Sequence, residues 1–329
     1  MIARSRRNHR ACSSRPERRG FALMAALWLV VLVGVTGYEL SVRSRSRRLA
    51  VANSLEQTQA AAAADAALET VRGELAMRLG RPLDARPTDA PQIDRWSDLD
   101  LLSRDTLSLG DARARPRVYD AGARIQINRV TENDLRRFLT ALPLDASTAD
   151  RLAQRILDWR DADSFRRARG AEHDDYVRAG ARRLPADADF GRVEELRDVD
   201  GMTPVLFARI APFVTVLGTG QINVNTAPRA VLLSLPGMGD ETVAAIVRAQ
   251  QSRRPIRSIE ELTTMLSSGA RSSLVETMGE LQQRVTFESR EVVVEAEGWL
   301  DGSPVHVRAE ALLARGGDAM FTIGRRIVQ

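Results

Sequence analysis

The sequence predicts an α+β protein in which a long N-terminal helix packs on an antiparallel sheet and a large α-helical domain is inserted ahead of most of that sheet. Three observations predict it. An uncharged run from Phe21 to Tyr38 leads directly into an alanine-rich, then amphipathic, helical pattern. The end of the chain alternates apolar and other residues in three segments separated by glycine-containing turns. Between them lie two copies of one helical pattern.

Residues 1–20 form a basic leader. Its arginines, Arg4, Arg6, Arg7, Arg10, Arg15, Arg18 and Arg19, face one acid, Glu17; the leader alone exceeds the net +5 of the whole chain. The remainder is nearly neutral, so global charge makes no case for a polyanionic partner. The single cysteine, Cys12, lies in the leader, which excludes an internal disulfide or a thiolate metal site beyond it.

Residues 21–42 read as the transmembrane part of the helix. The uncharged stretch alone spans roughly 27 Å at ~1.5 Å per residue, close to a bilayer core. No small-residue cleavage site follows it, so the segment reads as an anchor rather than a removed secretory signal. Arg43, Arg45, Arg47 and Arg48 follow it. The leader holds more positive charge and comes first, which places the N-terminus in the cytoplasm and the bulk of the chain outside. Leu68, Val71, Leu75 and Leu79 continue at helical spacing, and Gly80-Arg81-Pro82 reads as the stop. Residues 43–126 thus hold the rest of the helix, a Pro- and Asp-rich linker over 81–117, and a hairpin from Arg117 to Asn128 turning at Ala121-Gly122.

Residues 127–286 are the inserted helical domain, in two related units, 127–217 and 222–286. Ile127-Asn128-Arg129-Val130-Thr131 resembles Ile222-Asn223-Val224-Asn225-Thr226. Each run precedes a short helix ending in Leu-Pro, then a second helix (Ser147–Arg160 or Asp240–Gln251), then Glu-Glu-Leu at 194–196 or 260–262. The first unit is longer by the acidic stretch from Asp161 to Phe190. Leu235-Pro236-Gly237-Met238-Gly239 has the signature of a helix-hairpin-helix, whose glycines permit a tight turn. In nucleic-acid-binding versions the following helix N-terminus holds a phosphate. Asp240 and Glu241 occupy that place here and oppose it, so the compact-turn reading stands ahead of DNA binding.

Clustered carboxylates in a loop suit a hard cation with oxygen ligands, most naturally calcium. Asp158, Asp161, Asp163, Glu172, Asp174 and Asp175 are the candidates. The alternative is a solvated loop in which Arg160, Arg166, Arg167 and Arg169 pair with them. Residues 287–329 read as a β-meander, with strands at Glu291–Leu300, Val305–Arg315 and Phe321–Val328. No nucleophile elbow, phosphate loop or histidine pair at metal spacing is present, so the chain reads as non-catalytic.

Several of these residues also match known families. Arg18-Arg19-Gly20 before Phe21 resembles a type IV prepilin processing site, where a prepilin peptidase cuts after the glycine and methylates the new first residue. The resemblance therefore marks Gly20 and Phe21 as processing residues. Ala25 stands where most of that family has glutamate, as in the GspK branch of minor pseudopilins. The runs Ile156–Asp163, Gly170-Ala171-Glu172 with Tyr176, Glu195-Leu196 with Val199, Gly201 and Met202, and Ile222–Pro228 resemble the same branch. Arg183-Leu184-Pro185 departs from it, since the family usually has asparagine before a proline there. The resemblance covers residues 18 to about 240. It implies a pilin-like body carrying helix-hairpin-helix or SAM-like units, in a single-pass inner-membrane protein whose bulk is periplasmic. It implies a place at the tip of the type II secretion pseudopilus, priming assembly and supporting export of folded proteins across the outer membrane. Its partners would be GspI, GspJ and GspH, the prepilin peptidase and the inner-membrane secretion platform, with calcium as a ligand. The alternative reading is a membrane-anchored, helix-hairpin-helix DNA-binding protein of the competence type.

Overall fold

The computed structural model describes residues 18–79, 96, 99–103, 106–316 and 319–328. Residues 1–17, most of the basic leader, lie outside the described residues, as do 80–95, which hold the expected helix stop Gly80-Arg81-Pro82 and the first part of the linker. The chain divides into two compact units, Met1–Glu56 and Gln57–Gln329.

In the first unit the described residues are all helical and belong to α1, which runs Arg18–Leu79. Its side chains are exposed from Leu23 to Leu55, including Leu27, Trp28, Leu32 and Val35. The helix is long and apolar enough to cross a membrane.

In the second unit the C-terminal part of α1 becomes amphipathic. Ala63, Ala64, Ala67, Leu68, Val71, Leu75 and Leu79 form one buried stripe, as their three- and four-residue spacing requires. The stripe packs on a five-stranded antiparallel sheet of order β1-β2-β7-β8-β9. The strands are β1 (Leu107–Leu109), β2 (Ala112–Asp120), β7 (Glu291–Leu300), β8 (His306–Gly316) and β9 (Ala319–Val328). Val292, Val294 and Ala296 of β7 and Ala309, Ala311 and Leu313 of β8 face the helix, following the two-residue period of a strand. At Gly298 the helix backbone itself touches the sheet: an added Cβ would lie 2.1 Å from the Ala60 carbonyl oxygen.

Two expectations are corrected here. The linker reading extended to residue 117, but β1 and β2 already pair there, Leu109 opposite Ala112 across the turn at Gly110. The expected hairpin around Ala121-Gly122 does not form. β2 instead pairs antiparallel with β7, from Ala112 opposite Leu300 to Asp120 opposite Val292. Alternation along 112–120 is real, but the strand's partner lies far away in sequence, where local patterning carries no signal. The C-terminal meander forms as expected.

The lobe occupies the connection between β2 and β7. It holds the two-stranded parallel pairs β3 (Ile125–Gln126) with β4 (Val214–Thr215) and β5 (Ile222–Asn223) with β6 (Val285–Thr286). Its helices are α2 (Glu132–Ala141), α3 (Ala146–Arg160), α4 (His173–Arg178), α5 (Pro204–Ile210), α6 (Arg229–Leu232), α7 (Asp240–Gln251), α8 (Ile259–Thr264), α9 (Ser268–Glu276) and α10 (Met278–Arg284). Capping side chains start several of them. The Thr131 hydroxyl accepts from Asp134 N, Asp145 from Thr148 N, and Ser258 from Glu261 N. The lobe has its own core, separate from that under α1.

The two halves of the lobe share one hydrogen-bonding device. Ile127 N donates to Thr215 O and Val224 N to Thr286 O. The Asn128 amide holds both backbone groups of Phe190, at 3.0 and 2.9 Å, and Asn225 holds those of Ile256, both at 2.8 Å. Glu195 and Glu261 then accept from the backbone N four residues earlier. Asn128 is thus the counterpart of Asn225. The correspondence is offset by two residues from the Ile-Asn match read in the sequence, because the hydrogen-bonding role fixes the register and residue identity alone does not.

Candidate functional site

Where the lobe joins the sheet, Asp120 ends β2 as a buried carboxylate. It accepts from Gly122 N (2.8 Å) and Asn223 Nδ2 (2.6 Å), and lies 2.9 Å from Thr226 Oγ1 and 2.7 Å from Ser289 Oγ. Burial pushes its pKa up, and these hydrogen bonds work against that shift. Thr219 N and Oγ1 add bonds to Glu291 at the start of β7, of 2.7 and 3.0 Å. Both connections between sheet and lobe are therefore fastened at one place. Asp120 was not singled out in the sequence; its partners come from residues 122, 223, 226 and 289, too scattered to form a motif.

The acidic stretch follows α3. The structure separates its six candidate ligands into two groups. Asp158, in the last turn of α3, is fully buried and accepts from Arg167 through both the backbone N (3.2 Å) and Nη1 (2.5 Å). Burial raises the Asp158 pKa and Arg167 opposes the rise. Gly170 makes room for this carboxylate, since an added Cβ would lie 1.7 Å from Asp158 Oδ2. Asp175 accepts from Glu172 N at 3.1 Å in the first turn of α4 and pairs with Arg178 at 2.9 Å and Arg166 at 3.3 Å. Asp174 is exposed. These three are not gathered with the others.

Asp161, Asp163 and Glu172 are brought together, with one carboxylate oxygen of each within 4.8 Å of the others. Arg167 Nη1 reaches Asp161 Oδ2 at 2.6 Å. Two buried oxygens, Asp161 Oδ1 and Glu172 Oε1, have no hydrogen-bond partner among the described residues. Glu172 is pushed up to about 7, first by burial and then by the charges of Asp158, Asp161, Asp187 and Asp163. A buried acid repelled by its neighbours, with unsatisfied oxygens and an all-oxygen donor set, suits a hard divalent cation. Of the four neighbouring arginines, Arg169 pairs with Asp150 at 3.5 Å. Arg160 donates to the backbone oxygens of Ile127 and Val130. Within this group of three, Arg167 therefore neutralises Asp161 alone, and among the described residues Asp163 and Glu172 have no arginine partner.

Beneath the loop Trp159 stacks on Phe190, with 6.3 Å between centroids, and meets Tyr176 edge-on at 5.3 Å. Tyr176 in turn accepts from Asp200 N at 2.9 Å. The Asp-Trp, Gly-Ala-Glu and Tyr elements of the sequence pattern are thus one packed unit that supports the carboxylates.

Two family models, both described as type II secretion system (T2SS), protein K, match residues 107–219 and 222–282, together more than half of the chain. The chain belongs to the type II secretion system protein K family. It is a minor pseudopilin of that system, and the family is a structural, non-enzymatic component of secretion. The protein K of Pectobacterium carotovorum subsp. carotovorum is 27% identical over 276 residues, covering 78% of this chain and 81% of that one. That of Pseudomonas aeruginosa is 26% identical, covering 77% and 78%. Among solved structures, the crystal structure of the GspK-GspI-GspJ complex from the enterotoxigenic Escherichia coli type 2 secretion system matches with a TM-score of 0.63 and 17% identity. The match covers 87% of this chain and 99% of that chain. The shared fold includes the long N-terminal helix, the antiparallel sheet and the inserted helical region.

Within this protein K family member, the Leu235–Gly239 turn packs against the junction of α9 and α10. Gly237 has φ +70°, and an added Cβ there would lie 2.0 Å from Thr277 Oγ1. In the first turn of α7, Asp240 pairs with Arg229 at 2.5 Å, and Glu241 accepts from Ser267 N and sits 2.9 Å from Ser267 Oγ. Both carboxylates of that first turn are thus engaged by protein partners. The first half has neither a glycine nor a positive φ in its turn, and Asp145 serves as the N-cap of α3.

Proposed function

We propose that the chain crosses the inner membrane once, with its N-terminus in the cytoplasm and its bulk in the periplasm. A prepilin peptidase removes residues 1–20 between Gly20 and Phe21 and methylates Phe21. In the mature chain residues 21–42 lie in the membrane. Residues 43–126 and 287–329 make a pilin-like body, and residues 127–286 make the lobe, as two helix-hairpin-helix or SAM-like units used as scaffold. The body joins minor pseudopilins of the GspI and GspJ types, with GspH, at the pseudopilus tip, where it primes assembly on the inner-membrane platform and supports export of folded proteins.

The observation that carries this reading is the placement of the whole lobe between two paired strands, fastened at Asp120. A lobe of that bulk rooted in the sheet obstructs stacking of a further subunit and suits the end of a filament. Asp161, Asp163 and Glu172 hold calcium, supported by their two unpartnered buried oxygens. The ion would supply the positive charge that ties the end of α3 to the start of α4. Arg248, Arg253 and Arg254, at and just past the end of α7, are what favours the DNA-binding alternative, and Asp240 and Glu241 in its first turn oppose it.

The test is twofold. Intact mass of protein extracted from membranes is expected to correspond to a chain beginning at Phe21 with one added methyl group, and any other first residue refutes the processing. Co-purification with GspI- and GspJ-type companions tests the tip assignment, and a chain that leaves them unbound refutes it.

A further inference from the structure

The proposed cleavage leaves an unusual charge distribution along α1. Residues 21–42 contain no arginine, and Arg43, Arg45, Arg47 and Arg48 follow at once. Phe21 to Arg43 spans about 33 Å of helix, against roughly 30 Å of hydrocarbon. The arginines therefore stand where the helix meets the headgroups. All four are exposed. Arg43 lies 3.5 Å from Glu39, and Arg45, Arg47 and Arg48 make no ion pair among the described residues.

Their angular spread indicates what they meet. At 3.6 residues per turn, with Arg43 at zero, Arg47, Arg48 and Arg45 fall at about 40°, 140° and 200°. A neighbouring helix would meet a stripe on one side. A spread over more than half the circumference fits a partner that surrounds the helix, as lipid headgroups do. Guanidinium groups also bind phosphate oxygens in bidentate fashion.

We propose that Arg43, Arg45, Arg47 and Arg48 form a collar that binds the phosphates of anionic lipids and fixes the depth of the mature helix. This rests on the membrane-spanning reading above. After cleavage the collar is the more strongly basic flank of the apolar segment, four arginines against the one α-amino group at Phe21. It resists sliding of the helix into the bilayer, while the single α-ammonium group at Phe21 opposes movement the other way with one charge against the collar's four. The collar thus acts as the stronger of two stops for a helix that enters a growing filament.

The test uses the full chain purified from membranes and reconstituted in phosphatidylcholine vesicles. Electron spin resonance compares its association with spin-labelled phosphatidylglycerol and spin-labelled phosphatidylcholine. The expected preference for phosphatidylglycerol is about five-fold per engaged headgroup at low salt, falling toward unity at high salt. Changing the four arginines together to glutamine is expected to remove it, and changing them to lysine to keep most of it. The difference between natural chain and glutamine variant isolates the collar from any residual leader arginine. No preference in the natural chain, or an equal one in the glutamine variant, overturns the proposal. A glutamine variant that keeps the preference but loses its pseudopilin companions overturns it in favour of a protein partner. Failure of the natural chain to float with vesicles of either lipid overturns the membrane reading itself.

Discussion

Replacing Gly298 by alanine tests how α1 is held on the sheet. The added methyl carbon would lie 2.1 Å from the Ala60 carbonyl oxygen and 2.6 Å from Ala64 N. An unstrained carbon–oxygen contact needs about 3.3 Å, so helix and strand must separate by roughly 1.2 Å. A gap of ~1 Å forfeits a quarter to a half of each dispersion contact it opens. The contacts at risk are those of Ala63, Ala64, Ala67 and Leu68 with β7 and β8, all in the core beneath the helix. The opposing atoms are main-chain atoms, so no change of side chain at Ala60 or Ala64 relieves the clash. Together these effects amount to about 3 kcal/mol, or roughly 6–10 °C in Tm for a body of this size. Thermal unfolding of the full chain in detergent, followed by circular dichroism, measures it. Gly279→Ala is the control: it lies in α10 with nothing within 4 Å of an added Cβ, and is expected to be neutral or to stabilise by about 0.5–1 kcal/mol. A Gly298→Ala protein that unfolds at the natural temperature refutes the close helix–sheet contact.

Three further outcomes are expected. Glu172 has a folded pKa raised to about 7, so its contribution to stability is full below the unfolded value and is lost as pH rises toward 7. Without calcium the Tm should therefore fall across that interval, and calcium should raise Tm more at pH 7.5 than at pH 5.5 as the ion displaces the proton; equal Tm values with and without calcium at both pH values would count against the site. Gly170→Ala forces Asp158 away from Arg167 and should destabilise the lobe by about 3–5 kcal/mol, read by urea unfolding. Asn225→Ala should cost about 1 kcal/mol more than Asn128→Ala, because Asn225 also holds the Phe287 carbonyl at 2.9 Å; the same titration checks the order of the two variants.

The site was legible where its residues fall close together. The Asp-rich run after α3 and the Gly-Ala-Glu element lie within one short stretch, so composition alone marked the carboxylates. Which of them stay available was not legible. Arg167 bridges Asp158 and one oxygen of Asp161, Asp175 turns to the backbone of Glu172, and Asp161, Asp163 and Glu172 converge as the group of three. That division depends on how the loop folds back over α3, and each side chain looks equivalent in the sequence.

From sequence alone came the elements whose signal is local: the apolar start and amphipathic end of α1, the three strands of the meander, the helices at Ala146–Arg160 and Asp240–Gln251, and the existence of a repeat. Periodicity fixes these because a helix or strand face repeats over a few residues. Only the tertiary structure decided that β2 pairs with β7, that Asn128 corresponds to Asn225, that Asp120 fastens the lobe, and that Gly298 admits the helix backbone. Each of these joins main-chain or buried polar groups far apart in sequence. Such groups must find partners once buried, but the requirement does not say which distant residue will meet it.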